Sequence, residues 1–341
     1  MTQRLVVPPR LTLVSHVYNL NIDRITIDEH SRFDVDFRNC TFGEPLPLLI
    51  LAHQIRQLVM RNPTVEFWMN SAAGKFRNYA DHIGFFRYTG FDRGEEPRNV
   101  AGSSNYIPIH RFSIQELQAK AAGKPYGEIV NEEASTLASI ITRAEDGPTF
   151  DVVQYAFREV MRNSVEHSRG SNLTVFGQFW PANNKAEIVI LDDGVGILEN
   201  LLEHEYVECS NDLEAIKCAL LPGVSGVTRE ERMKQDETWG NSGFGLYVLS
   251  RLCAENGLFR VITGNGALTL KGEIQESTTW SYPGTCIQLI FSGCTSMTRK
   301  NRIPQIIGEG EMRRMDIMDK FPIEASMASK MLASDFIKKR K

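Results

Sequence analysis

The stretch AEIVILDDGVGI, residues 186–197, decides the fold of the second half of the chain. Its first six residues are almost continuously apolar, which is the pattern of a strand buried in the centre of a sheet. The strand is expected to end at Asp192 and Asp193, where a Gly-x-Gly turn follows. An Asp-Gly pair after a strand is most often a simple turn, so the motif gains meaning only with the segments around it.

The segments around this strand predict an α/β domain over residues 126–294, because helical and strand patterns alternate there. The expected elements are helices at about 128–143 and up to His167, strands at 172–179 and 284–291, and a hairpin at 258–272. Residues 198–240 show no clear period and are expected to be irregular.

The sequence before this domain, residues 1–125, predicts a smaller α/β domain, and RFSIQELQAKAAGKPYG at 111–127 predicts a connecting helix. FDVDF at 33–37 alternates apolar and acidic residues, as a strand with one solvent-exposed face would. A helix at 48–60 and a second strand at 64–69 are expected to follow. Residues 295–341 mix Met, Lys and Arg, and are expected to form a helical appendage.

The composition excludes several classes of protein. A net charge of −4 gives no strong attraction for nucleic acid. The six cysteines form no CxxC pair, which argues against structural zinc and against a disulfide framework. The longest apolar run, LPLLILA at 46–52, is too short to cross a bilayer, and the N-terminus lacks an apolar signal core. A cytoplasmic protein that does not enter the membrane is therefore expected.

A polar stripe lies in the helix that is expected to end at His167. Glu159, Asn163 and His167 recur every four residues, so they share one side of the helix. Such a stripe is most often a solvated surface. Asn is a mediocre helix former, however, and solvated helix faces usually prefer Lys, Glu and Gln. An amide between a carboxylate and an imidazole therefore favours a functional role.

A second glycine-rich segment, GNSGFGLY at 240–247, opens another predicted helix. Taken alone it is weak evidence, and it lacks the preceding strand that a dinucleotide-binding fingerprint requires. Its backbone N–H groups at a helix start would nevertheless suit a phosphate group.

The three segments, in this order, resemble the GHKL superfamily of ATP-binding proteins, which includes gyrase, histidine kinases and mismatch-repair ATPases. The resemblance covers roughly residues 130–292 and implies a Bergerat-type α/β sandwich that binds ATP and Mg²⁺. The matching positions are Glu159 and Asn163 in the first motif, Asp192, Gly194 and Gly196 in the second, and Gly240, Ser242, Gly243, Phe244, Gly245 and Leu246 in the third.

Simple chemistry agrees with these implied roles. Asp192, at the end of a buried strand, would accept a hydrogen bond from the exocyclic amine of adenine. Asn163 would offer its amide oxygen to Mg²⁺, which keeps several waters and takes other ligands from the phosphates. The segment 198–239 would be a lid over ATP. Its Arg229, Arg232 and Lys234 are candidates for phosphate contacts, although a solvated loop suits each of them as well.

The resemblance leaves the activity open among three hypotheses, and Glu159 is the residue that bears on them. Hydrolysing members carry Glu at this position to activate water, so an ATPase whose lid closure switches partner contacts is the leading hypothesis. Anti-sigma-factor serine kinases also carry Glu there, which leaves a serine/threonine protein kinase as the second. A sensor that binds ATP and barely hydrolyses it is the third. His167 either contacts a phosphate or caps its helix.

The N-terminal domain has a weaker similarity to STAS-type domains, which are partners of those serine kinases. The similarity rests on FDVDFRNCTF and on the helices and strand that follow it. FGEPLP has no serine at the helix start, where regulated STAS proteins are phosphorylated. A protein partner is expected through this domain or through the lid. A homodimer remains open, as do the pathway and the role of residues 295–341.

Overall fold

The computed structural model describes residues 2–70, 74–94, 105–120, 126–202, 208–224, 243–255, 257–292, 298–317 and 327–332. The chain divides into two compact units. Unit 1 comprises residues 1–110 with 175–177, and unit 2 comprises residues 111–174 with 178–341. Both parallel and antiparallel strand pairs occur together with many helices, so the expected mixed α/β class is confirmed. Within the described ranges, no helix combines the length and the apolar character needed to cross a membrane.

Unit 1 is built around a parallel sheet in the order β1-β3-β5. Its strands are β1 (Thr2–Val6), β2 (Arg10–Leu11), β3 (Arg32–Asp36), β4 (Phe42–Gly43) and β5 (Glu66–Asn70). Its helices are α1 (Val14–Tyr18), α2 (Pro45–Arg61), α3 (Lys75–His82) and α4 (Phe85–Tyr88), with a 3₁₀ turn at Ile22–Arg24. The strands expected at 33–37 and 64–69 and the helix expected at 48–60 are confirmed.

Strand β3 differs from the sequence expectation in its acidic face. The alternation predicts that Asp34 and Asp36 face solvent, but only 5% and 6% of their surfaces are exposed. Arg38 donates bonds of 2.9 and 2.6 Å to Asp36, and Arg32 donates one of 3.1 Å to Asp34. The hydrogen bond from Arg38 lowers the pKa of Asp36 to about 2. The expectation of a wet face is wrong because arginine side chains cover these carboxylates.

Unit 2 contains most of the remaining elements. Its helices are α5 (Ile114–Lys120), α6 (Tyr126–Thr142), α7 (Pro148–His167), α8 (Ile197–Leu202), α9 (Asp212–Ala219), α10 (Gly245–Glu255), α11 (Thr298–Ile317) and α12 (Met327–Lys330). The strands are β7 (Asn172–Trp180), β8 (Lys185–Asp192), β9 (Gly257–Gly264), β10 (Gly266–Lys271), β11 (Ile274–Thr278) and β12 (Tyr282–Ser292). A 3₁₀ turn lies at Pro181–Asn183. Two strands are divided between the units: β6 (Tyr106–Ser113) contains the boundary, and residues 175–177 of β7 belong to unit 1.

Strand β8 carries the apolar run of residues 186–191, and it lies inside the large sheet as expected. The strand order is β11-β10-β9-β12-β8-β7-β6, so β8 has a neighbour on each side. All of its residues after Lys185 are buried. A chain of side-chain hydrogen bonds crosses the sheet beside it: Arg260 donates to Gln288 at 2.7 Å, and Gln288 donates to Glu187 at 2.7 Å. These paired polar groups help to fix the strand register.

Helix α7 is the structural centre of the layer that covers the sheet. Pro148 lies in its first turn. Backbone N–H groups make no intrahelical hydrogen bond there, so the N–H that proline lacks costs the helix nothing. The helix runs for 20 residues, and α6, α10 and α11 all pack against it.

Two expectations about irregular and helical segments need correction. The range 198–240 contains α8 and α9, so it is not irregular throughout its described part. The connecting helix expected over 111–127 begins only at Ile114, because residues up to Ser113 belong to β6. Short helices stabilised by packing leave little periodic signal in a sequence, which explains why α8 was missed.

Candidate functional site

A cavity of about 100 Å³ lies in unit 2 between α7, the end of β8 and the start of α10. It brings together several of the predicted site residues from distant segments of the chain. Those that line it are Asn163, His167, Asp192, Gly243, Gly245 and Leu246. Residues from all three motifs therefore meet at one site.

Asp192 is the most constrained polar group at this cavity. Its Oδ1 atom accepts hydrogen bonds from the backbone N–H groups of Gly194 at 3.0 Å and Thr285 at 3.1 Å. Its Oδ2 atom accepts one from the Ser164 hydroxyl at 3.2 Å. A carboxylate oxygen can accept two hydrogen bonds, so Oδ2 keeps acceptor capacity for a ligand in the cavity that Asp192 lines.

The environment of Asp192 affects its protonation. Only 3% of the residue is exposed, and burial raises its pKa to about 6 in spite of the hydrogen bonds that favour the carboxylate. Burial disfavours the charged form of this carboxylate. A carboxylate with such a raised pKa in a cleft is typical of a binding site.

Three partners of Asp192 were not identified from the sequence. Ser164 and Thr285 bind its side chain, and the Tyr282 hydroxyl donates to its backbone carbonyl at 2.8 Å. No spacing in the sequence links these positions to Asp192. The only available signal is that Ser164 directly follows Asn163 in the same helix.

Gly194 and Gly196 shape the turn after β8, and neither is among the residues that line the cavity. A side chain at Gly194 would overlap the backbone carbonyl of Ser168. The turn is held there by the Val195 N–H, which donates to the same carbonyl at 2.8 Å. Gly196 has φ +84°, a left-handed conformation that favours glycine. Gly194 therefore lets the backbone approach the end of α7 closely, and Gly196 lets it pass close to Thr263 on β9.

The third motif is described from Gly243 onwards, because Gly240 and Ser242 lie outside the described residues. Gly243 has φ +73°, and its carbonyl accepts a hydrogen bond from the Gly223 N–H at 3.1 Å. Phe244 is fully buried and packs edge-to-face on Tyr247, with ring centroids 6.3 Å apart. Phe244 thus anchors the start of α10 beneath the cavity, while Gly245 and Leu246 line it.

Glu159 occupies a different environment from the other residues of its stripe. Asn163 and His167 line the cavity, whereas Glu159 is completely buried and does not. Its carboxylate pairs with Arg158 at 3.2 Å and with Arg162 at 3.3 Å, and both arginines are buried as well. The role of Glu159 as a catalytic base stays a prediction.

The backbone of Gly245 lies between the Glu159 carboxylate and the cavity. A side chain placed at Gly245 would overlap the Oε2 atom of Glu159, and Gly245 itself lines the cavity. The carboxylate therefore lies directly behind the glycine backbone of the third motif.

The lid predicted over 198–239 is described only in part. Helices α8 and α9 share a small apolar cluster that contains Leu201, Ala215 and Val224, and two of these residues, Leu201 and Val224, also line the cavity. Arg229, Arg232 and Lys234, the candidates for phosphate contacts, lie outside the described residues.

A metal ion here would depend on few protein ligands. Among the described residues, no group of three or more His, Cys, Asp or Glu side chains is arranged to hold a metal. Mg²⁺ does not require such a group when phosphate oxygens and waters complete its shell. The amide oxygen of Asn163, at the cavity wall, fits that limited requirement.

No protein-family model matches the chain, and no curated protein shows significant similarity to it. A function for this protein therefore has to rest on the chemistry of its own residues.

Proposed function

We propose that unit 2 binds Mg-ATP in the cavity described above, as its resemblance to GHKL proteins implies. The observation that carries the proposal is the buried carboxylate of Asp192, which has acceptor capacity left on Oδ2 at the cavity wall. Adenine presents an amine donor on its Watson–Crick edge, and an acceptor in a mostly apolar slot recognises that donor. Val160, Ile197 and Leu201 supply apolar lining.

The other end of the cavity suits phosphate and metal. The start of α10 supplies backbone N–H groups at Gly245 and Leu246, and the N-terminus of an 11-residue helix favours an anion. Asn163, on the facing helix α7, would hold Mg²⁺ through its amide oxygen. When bound, the ion would neutralise phosphate charge.

The described conformation supports binding of ATP better than turnover. A general base must reach the proton that it removes, either directly or through one water. Glu159 is fully buried and engaged by two arginines, so it does not meet that condition. A nucleotide sensor is therefore the activity that this geometry favours.

Hydrolysis is the second candidate, because Glu159 lies just behind Gly245 at the cavity wall. In that reaction a water would attack the γ-phosphorus, its proton would pass to Glu159, and ADP would leave. A small displacement that frees Glu159 from its arginines would bring it to the cavity. Transfer to a serine or threonine of another protein would use the same base.

The experiment that tests the site compares ATP with GTP by titration calorimetry. Guanine carries a carbonyl oxygen where adenine carries the amine, so two acceptors would face each other at Asp192. An unmade buried hydrogen bond costs roughly 1–3 kcal/mol, and ATP should bind about ten-fold or more tightly than GTP. Equal affinities would contradict the adenine site. Incubation with γ-labelled ATP and cell extract then separates hydrolysis, protein labelling and unchanged ATP.

For unit 1 we propose a STAS-like domain that binds a protein partner. The order of β3, α2 and β5, with a parallel sheet, supports this proposal. Helix α2 begins with Glu44 at its cap and Pro45 in its first turn, so no hydroxyl stands there for phosphorylation. Trp68 on β5 is 43% exposed. We expect Trp68 to contact the partner, so Trp68→Ala should weaken chemical crosslinking between unit 1 and that partner. Equal crosslinking of the wild type and the variant would place the contact elsewhere.

A further inference from the structure

The C-terminal segment Met327–Leu332 contacts the buried ion-pair cluster of Arg158, Glu159 and Arg162. Arg158 donates a hydrogen bond of 3.0 Å from Nη2 to the backbone carbonyl of Met331, 173 residues further along the chain. Three residues of the segment are buried: Ser329 is fully buried, and only 6% of Met331 and 5% of Leu332 are exposed. Its contact with α7 is therefore part of the packed structure of unit 2.

The contact with Met331 has an electrostatic consequence for the cluster. Two buried guanidinium groups, those of Arg158 and Arg162, share the buried carboxylate of Glu159, and Arg162 also pairs with the partly exposed Glu166 at 3.7 Å. A buried charge is stable only where it finds ion-pair and hydrogen-bond partners. The carbonyl of Met331 gives Arg158 an additional acceptor, and this helps Arg158 to stay buried against Glu159.

The preceding helix holds the segment in this place. Helix α11 packs against both α7 and α10, the helices that carry the first and third motifs. Gly310 allows that close approach, since a side chain there would meet the rings of Phe244 and Tyr247. Lys330 pairs with Glu311 at 3.3 Å, which ties the segment to α11.

We infer that the segment Met327–Leu332 is an autoinhibitory element that keeps Glu159 buried and paired, and that its release permits turnover of ATP. This inference rests on the proposed function. When the segment leaves, Arg158 loses the Met331 carbonyl, so its long side chain can turn to water. Glu159 then loses one of its two arginines. The carboxylate is then freer to move past the Gly245 backbone toward the cavity.

The test uses the full chain with Met331→Asp, which places a charge at a buried position of the segment. The matched control is Met312→Asp, the same substitution in α11 at a site that is 66% exposed. Hydrogen exchange by mass spectrometry reports release of residues 327–332, calorimetry reports ATP affinity, and phosphate release reports turnover. A lost general base reduces rates by about 10²–10⁴-fold, so release in even a tenth of the molecules should raise turnover by roughly ten-fold or more.

The expected result is faster exchange at 327–332 and faster turnover in Met331→Asp alone, with ATP affinity within about two-fold of the wild type. Met331→Ala should show a smaller change in the same direction. It replaces Met331→Asp as the test variant if the charged variant does not fold. Exchange that rises without any rise in turnover would overturn the inference. So would a segment that stays protected in the double variant Met331→Asp/Leu332→Asp. Absence of ATP binding in every variant would instead refute the proposed function.

Discussion

Replacing Asp192 with Asn tests the centre of the proposed ATP site with a change of one group. The amide oxygen can keep the place of Oδ1, where the N–H groups of Gly194 and Thr285 donate at 3.0 and 3.1 Å. The NH₂ group then takes the place of Oδ2. Ser164 can accommodate it, because a hydroxyl both donates and accepts. Adenine cannot, because its amine would face another donor.

The loss in affinity follows from that mismatch. One hydrogen bond is replaced by two facing donors in a buried slot, and an unsatisfied buried group costs about 1–3 kcal/mol. We expect ATP affinity to fall by about ten-fold or more, since 1.4 kcal/mol corresponds to a factor of ten. Selectivity against GTP should shrink as well, because the amide donor suits the carbonyl oxygen of guanine.

The same substitution should not destabilise the protein. Burial raises the pKa of Asp192 from 3.8 to about 6, so the folded state binds this proton more tightly than the unfolded state does. Its contribution to stability is therefore fully present below pH 3.8 and is lost as the pH rises toward 6. By pH 7 the loss is about 3 kcal/mol. Asn does not ionise, so the melting temperature of the variant at pH 7 should be at least that of the wild type.

Calorimetry and thermal melting on the same preparations check both expectations. Asp193→Asn is the matched control, because Asp193 accepts from the Ser171 and Asn172 N–H groups and does not line the cavity. That variant should keep its ATP affinity. In the wild type, affinity should also fall as the pH drops through 6, while Asp192→Asn should show a flatter profile. An unchanged ATP affinity in folded Asp192→Asn would refute the assignment of the adenine site.

The remaining predictions concern the metal, the turn and the buried cluster. Asn163→Ala should weaken binding of Mg-ATP more than of metal-free ATP, and equal losses in calorimetry would exclude a metal ligand. Gly194→Ala should lower the melting temperature because its side chain overlaps backbone, whereas Gly308→Ala, with open space around it, should not. Glu159→Gln leaves Arg158 without its buried carboxylate, and leaves Arg162 with only the partly exposed Glu166 at 3.7 Å, so it should destabilise by about 3–5 kcal/mol; an unchanged denaturant midpoint would mean that the ion pairs contribute nothing.

The sequence predicted the elements that carry a strong periodic signal. Strand β8 and helix α7 are long, and their apolar patterns are continuous, so burial and type followed from residue order alone. Helices α8 and α9 are six and eight residues long and were missed as regular structure. Such short helices depend on packing partners that are distant in sequence.

The site was predictable where chemistry is local. Asp192 ends a buried strand and precedes a turn, and that context, together with the two neighbouring motifs, indicates an acceptor at a strand end. The groups that tune it come from elsewhere: Ser164 is 28 residues away and Thr285 is 93 residues away. A single sequence contains no signal for such long-range hydrogen bonds, because any of many serines and threonines would satisfy the pattern.

Glu159 shows why helical spacing alone does not assign a role. Residues four apart on a helix share a side of it, but what covers each one depends on the neighbouring elements. Asn163 lies beside the open cavity, whereas Glu159, one turn earlier, lies beneath Gly245. The carbonyl of Met331 then holds Arg158 against it from a segment that the sequence left as an appendage. The same carboxylate therefore serves the fold in this conformation, and we propose that it serves catalysis once that distant segment moves.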